Sequence, residues 1–270
     1  MLKLGATAAA LLAIAGTTVS SAATRPPKKH ITLVALGDSI PYGRSDCGSC
    51  DTFVDLFAMA IARHARISVS ERNLSEHTGI DSRDLRRELR TNRALRAAVS
   101  AASVITVTIG HNDAPWIRDD DPCDGKGSDP PDWKKYASKR CLDATANRYA
   151  SDLDAILKTI AALRGGKRTL VRVTNDYNDL IGYPGVPRSA YPIVKPFHDR
   201  ESAVTCRLAR KYGASCIDTY HAFNGVSGNR DAGPLLAPDH THPNAKGHRL
   251  IAQLLVRAGY RPLFPSRVAK

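Results

Sequence analysis

After the first two dozen residues the chain has no apolar run near the ~20 residues that a bilayer-crossing helix needs, so no permanent membrane span is expected. Aromatic residues make up only 6% of it. No basic stretch is interleaved with stacking side chains, which argues against a nucleic-acid partner. Acidic residues are scarce beside basic ones, 26 against 39, for a formal net charge of +13. That imbalance favours anionic surroundings such as cell-wall polymer, acidic lipid or acidic polysaccharide. Three motifs are also missing. There is no Gly-x-Ser-x-Gly nucleophile elbow, no Ser-x-x-Lys, and no His-Glu-x-x-His. Neither a metal nor another cofactor is expected. Repeats, low-complexity tracts and a linker to a second domain are absent too.

What is present begins with an export signal. Lys3 gives a short positive start, Ala6 to Ala15 is small and apolar, and Ser21-Ala22-Ala23 offers the small residues that a signal peptidase reads. Residues 1–23 are therefore expected to be a signal peptide, 24–29 a linker, and 30–264 a single domain of a secreted protein. Six cysteines (Cys47, Cys50, Cys123, Cys141, Cys206 and Cys216) fit an oxidising compartment. Their connectivity is open from sequence, and proximity favours 47–50, 123–141 and 206–216. A monomer is expected.

The hydrophobic pattern alternates strand and helix. Ile31 to Leu36 is a short apolar run ending at Gly37, as a buried parallel strand would be. Phe53 to Ile61 has helical spacing, Ile67 to Val69 is a weak strand, and Asp81 to Arg96 reads as one helix capped by Asp81-Ser82. Val104 to Ile109 is the clearest strand, rich in β-branched residues. A long amphipathic helix through Tyr149, Leu153, Ile156, Ile160 and Leu163 stops at Gly165-Gly166. Strands at Thr169 to Thr174 and Ala214 to Asp218, with helices at Ile193 to Tyr212 and Ala245 to Ala258, complete the series. Five strands in this rhythm imply a parallel sheet covered on both faces. Two long loops, Ala114 to Leu142 and Asn175 to Pro192, follow strands and belong at the carboxyl edge, where open α/β sheets bind ligands.

Four short blocks lie close to strand ends: Gly37-Asp38-Ser39; Gly79, closing Asn73-Leu74-Ser75-Glu76-His77-Thr78-Gly79; Gly110-His111-Asn112-Asp113; and Asp239-His240-Thr241-His242. A serine hydroxyl needs a neighbouring imidazole to take its proton, and His242 has the right chemistry. A carboxylate three residues earlier, Asp239, can reach the other ring nitrogen and hold the tautomer. Backbone N–H groups at Ser39 and Gly79, with the Asn112 amide, would face a developing oxyanion.

These blocks, in this order, resemble the SGNH (GDSL-type) hydrolase family, named for the Ser, Gly, Asn and His of its four blocks. One departure is Ile40 where the family's nickname has Leu. The resemblance implies a flavodoxin-like three-layer α/β/α sandwich, a triad at Ser39, Asp239 and His242, and an oxyanion hole from Ser39, Gly79 and Asn112. The implied activity is carboxylic ester hydrolysis by a secreted esterase or lipase through an acyl-enzyme, on lipid, small acyl esters or acylated polysaccharide.

Other readings bear on the same residues. The family alternative is a polysaccharide acetyl-esterase; from a different class comes a non-catalytic secreted protein binding anionic polymer. Ser39 would serve as a simple helix N-cap. His240 and His242, with Asp239 or His111, have a spacing that permits a metal. The acidic run Asp119, Asp120, Asp121, Asp124 misses the calcium-loop pattern. Cys47-Gly48-Ser49-Cys50 has thioredoxin-like spacing but reads better as a structural bridge. Arg83, Arg86, Arg87, Arg90, Arg93 and Arg96 form a basic stripe that is either a solvated face or a docking surface. Trp116 and Trp133 would pack in the core or touch an acyl chain. Pro243 reads as the first residue of the last helix.

Overall fold

Both faces of the central sheet are covered because its strands are apolar on both sides. In β1 (His30–Gly37) Leu33 and Ala35 point into one hydrophobic cluster, and Val34 and Leu36 into another. A strand buried on two faces must be a continuous apolar run, and this one is. Each such Leu or Val contributes roughly 1.5–3 kcal/mol by leaving water. The structure, a computed structural model, describes residues 30–43, 47–117, 123 and 131–264. The expected signal peptide and linker, and the acidic run at 119, 120, 121 and 124, lie outside them.

Among the described residues β1 is followed by α1 (Ser39–Tyr42), α2 (Phe53–Ala65), β2 (Ser68–Asn73), α3 (Ser82–Thr91), α4 (Arg93–Ala101) and β3 (Val104–Thr108). Then come α5 (Lys139–Arg164), β4 (Leu170–Thr174), α6 (Tyr191–Lys211), β5 (Ser215–Ile217), α7 (Thr219–Asn224) and α8 (Ala245–Arg257). The sheet has the order β2-β1-β3-β4-β5, with every pairing parallel. Residues of α3, α4, α5 and α6 cover one face; residues of α2, α7 and α8 cover the other. This is the three-layer α/β/α sandwich. The chain reverses direction across the sheet between β1 and β3, so a crevice opens at their carboxyl ends.

Three readings need correction. Asp81 to Arg96 is two helices, because Asn92 leaves helical geometry and its side chain accepts from the N–H groups of Ala94 and Leu95, capping α4. The weak strand at Ile67 to Val69 is longer, Ser68–Asn73, because pairing with β1 extends it beyond its apolar start. Pro243 is not the first residue of α8. It bridges Leu236 in an isolated antiparallel contact, and Asn244 caps the helix. Helix α7 is an addition, started by the Asp218 cap. Disulfides join Cys47 to Cys50, Cys123 to Cys141, and Cys206 to Cys216, the last tying α6 to β5. Among the described residues no helix is long and apolar enough to cross a membrane.

Candidate active site

The turn after β1 is set by a close approach. Gly37 has φ 151°, and a Cβ there would overlap the Thr108 carbonyl of β3. Asp38 donates its N–H to that same carbonyl at 3.2 Å. The Asp38 carboxylate then accepts from the Ile40 N–H at 3.0 Å and caps α1. The capping role that Ser39 would otherwise fill is thus taken by its neighbour. Ser39 is the first residue of the helix, 8% exposed. Burial pushes the Asp38 carboxyl up to about 7, with His111 opposing.

The segment between β2 and α3 touches all the other blocks. Asn73 donates its amide to the Pro41 carbonyl of α1 at 2.8 Å, and the Glu76 N–H reaches the Gly37 carbonyl at 3.0 Å. Farther along, His77 lies between Tyr42 (5.2 Å) and His242 (5.9 Å, nearly parallel rings). Gly79 sits at φ 70°, with open space where a side chain would be. The next residue, Ile80, accepts from Asn112 Nδ2 at 2.9 Å through its carbonyl. Asn112 is thereby fixed beside the Gly79 turn with one amide hydrogen used.

The Gly-His-Asn-Asp block divides its labour. Asp113 accepts from the Ser82 N–H (2.9 Å) and hydroxyl (2.6 Å), clamping the end of β3 to the start of α3. Burial drives its carboxyl up to about 7. His111 points the other way, its Nδ1 3.2 Å from Asp176 Oδ2 and its Nε2 3.8 Å from Asp179 Oδ2. Burial opposes a charge on this ring, but the Asp179 and Asp176 carboxylates prevail and raise it to about 10.

In the last block His242 Nδ1 is 2.7 Å from Asp239 Oδ2. Asp239 Oδ1 accepts from the N–H groups of Thr241 and His242, both at 3.0 Å. Burial works against its charge, yet these donors and the imidazole hold the carboxyl below the usual range. The loop is pinned from beneath: Tyr177 donates its hydroxyl to the Thr241 carbonyl (2.6 Å), and the Thr241 hydroxyl donates to Asp179 (2.9 Å). His240, at φ 60°, turns away and packs on Tyr183. Neither His240 nor His242 belongs to a potential metal-ligand cluster among the described residues.

The four blocks meet at the β1–β3 end of the sheet, through the 73–81 segment. Sequence reading missed the parts that hold them there: His77, Tyr177, Asp176 and Asp179. The one available signal was the dense polar run Asn175-Asp176-Tyr177-Asn178-Asp179 directly after β4. Trp116 and Trp133 pack together and against Tyr136, with Trp116 also edge-on to Phe197. In the basic stripe, Arg86 pairs with Asp152 (2.6 Å), Arg87 with Asp84 (2.9 Å), and Arg96 donates to the Leu89 carbonyl (2.7 Å).

The sequence model of the GDSL-like lipase/acylhydrolase family matches residues 35–250. A search of curated proteins finds no match. Solved structures share the fold. A lipase from a goat rumen metagenome is 20% identical with a TM-score of 0.69, over 87% of this chain and 100% of that one. A GDSL-like lipase from Parabacteroides merdae is 20% identical with a TM-score of 0.60, over 86% and 96%. An acetylxylan esterase from Geobacillus stearothermophilus is 19% identical with a TM-score of 0.58, over 88% and 97%.

Proposed function

Since the chain belongs to the GDSL-like lipase/acylhydrolase family, we propose that it is an exported carboxylic ester hydrolase that works through an acyl-enzyme on Ser39. The observation that carries this reading is the Asp239–His242 pair at 2.7 Å, with the His242 ring stacked on the His77 segment that also packs on α1. Three cysteine bridges and the apolar leader support export.

The Ser39 hydroxyl attacks the ester carbonyl as His242 Nε2 takes its proton. Asp239 accepts from Nδ1–H, keeps the ring in the tautomer that leaves Nε2 basic, and stabilises the imidazolium. The Ser39 and Gly79 N–H groups and the second Asn112 amide hydrogen receive the oxyanion, each such donor lowering the barrier by about 2.7–4 kcal/mol. The imidazolium returns its proton to the departing alcohol. Water, activated by the same ring, then releases the acid and restores Ser39. Lipid and small acyl esters are the substrate class; an acetylated polysaccharide is the second reading, favoured by the fold shared with an acetylxylan esterase.

A fluorophosphonate probe should label the intact protein and not the Ser39→Ala variant; equal labelling of both would overturn the nucleophile. p-Nitrophenyl esters from acetate to palmitate then separate the substrate readings, since activity confined to acetate supports the polysaccharide esterase.

A further inference from the structure

Behind the Gly-His-Asn-Asp block, α6 and the segment after β4 enclose a second set of chemically active side chains. Asp176, His198 and Glu201 each bring one potential ligand atom within 4.8 Å of the other two. They are 7%, 2% and 1% exposed. Among the described residues, neither ring nitrogen of His198 and neither carboxylate oxygen of Glu201 has a hydrogen-bond partner. His198 Nδ1 and Glu201 Oε2 are 3.8 Å apart, too far for a hydrogen bond.

Four unpartnered polar atoms on two buried side chains are costly unless something satisfies them. The approach is also built in: Gly110 lacks the Cβ that would collide with the Glu201 carboxylate. His198 and Glu201, three residues apart on α6, share one helix face, and Asp176 meets them from the end of β4.

We propose that Asp176, His198 and Glu201 form a buried binding site for one divalent transition-metal ion, Zn²⁺ foremost. One imidazole and two carboxylates suit Zn²⁺, with water as a fourth ligand. Ca²⁺ demands six to eight oxygen ligands, and this set does not offer them. The two carboxylates balance the charge of the ion, and one His198 ring nitrogen and the Glu201 carboxylate gain a partner. None of the three is a residue of the proposed triad or oxyanion hole. Asp176 also bonds His111 at 3.2 Å, so the ion would brace the block that holds Asn112.

The test is metal analysis of the purified full chain, both as isolated and after refolding with and without Zn²⁺. About one ion per chain, absent from His198→Ala and Glu201→Gln, is the expected result. Refolding without metal should lower Tm by roughly 5–10 °C. A wild-type protein that takes up no Zn²⁺ and shows the same Tm either way overturns the site, and points to a protonated, water-filled cluster. An ion retained in both variants overturns it as well. Should the variants fail to fold, Co²⁺ loaded into wild type decides the matter. Ligand-field absorption typical of a nitrogen- and oxygen-ligated site supports the proposal, and its absence refutes it.

Discussion

Asp-x-x-His occurs twice in this chain with the same local geometry. In Asp218–His221, as in Asp239–His242, the ring Nδ1 is 2.7 Å from Oδ2 of the aspartate. In each, the Oδ1 atom accepts from the histidine's own N–H, at 3.1 and 3.0 Å. Donors hold both carboxyls below the usual range despite partial burial. The surroundings differ. Asp218 caps α7 after β5, the edge strand, and takes a further hydrogen bond from Asn175 (2.9 Å). β5 lies three strand spacings from β1, roughly 14 Å. The loop of His242 is instead pinned by Tyr177 and Asp179 and stacked on His77. The His242 side chain is 16% exposed, against 44% for His221. An oriented imidazole is therefore a local product of four residues. Its usefulness as a base depends on where the fold delivers it.

The sharpest way to break the comparison is to remove each ring. His242→Ala should lower kcat/KM by about 10⁴-fold or more, and His221→Ala should leave it within about twofold. Comparable losses in steady-state assays of the two would deny that position decides. Next, Asp239→Asn should cost about 10³-fold or more in kcat through loss of the correct tautomer, with Asp218→Asn close to wild type. Asn112→Ala should follow at about 10²–10³-fold in kcat, with KM little changed, as the proposed role of its amide as a donor to the oxyanion and not to bound ester requires.

The pH profile tests the charge state of the pair. kcat/KM should show no loss from protonation of Asp239 at neutral pH. Asp239, held below the usual range, stays ionised throughout. A lowered carboxyl pKa stabilises the fold above the unfolded value of about 3.9, and that contribution is lost as pH falls through the folded value. The smallest effect belongs to Asp218→Ala. Loss of this N-cap should cost about 1 kcal/mol of stability, a Tm drop of roughly 2–4 °C by calorimetry, with activity intact. The Tm gap to wild type should narrow as pH falls below about 4.

The strands were legible because burial on two faces leaves a plain apolar signature, as in Leu33-Val34-Ala35-Leu36. The helix break at Asn92 was not, because Leu85, Leu89, Leu95 and Val99 all face the same core across it and keep the apolar pattern continuous. Ser39, Gly79, Asn112 and His242 were readable as four short blocks in order. What escaped was what holds them together. His77 and His242 are far apart in the chain, and so are Tyr177 and Thr241, and no local periodicity links either pair. The cluster of Asp176, His198 and Glu201 was hidden for the same reason.

A candidate nucleophile at Ser39, a candidate acid–imidazole pair and a parallel α/β scaffold were legible in the sequence, because capping, strand burial and the Asp-x-x-His turn are all short-range effects. The different surroundings of the two Asp-x-x-His turns were settled only by the tertiary structure. So was the transfer of the α1 cap to Asp38, since it depends on the approach of Gly37 to Thr108 in the neighbouring strand. Contacts between distant segments form when whole faces pack, and packing leaves no periodic mark in the chain.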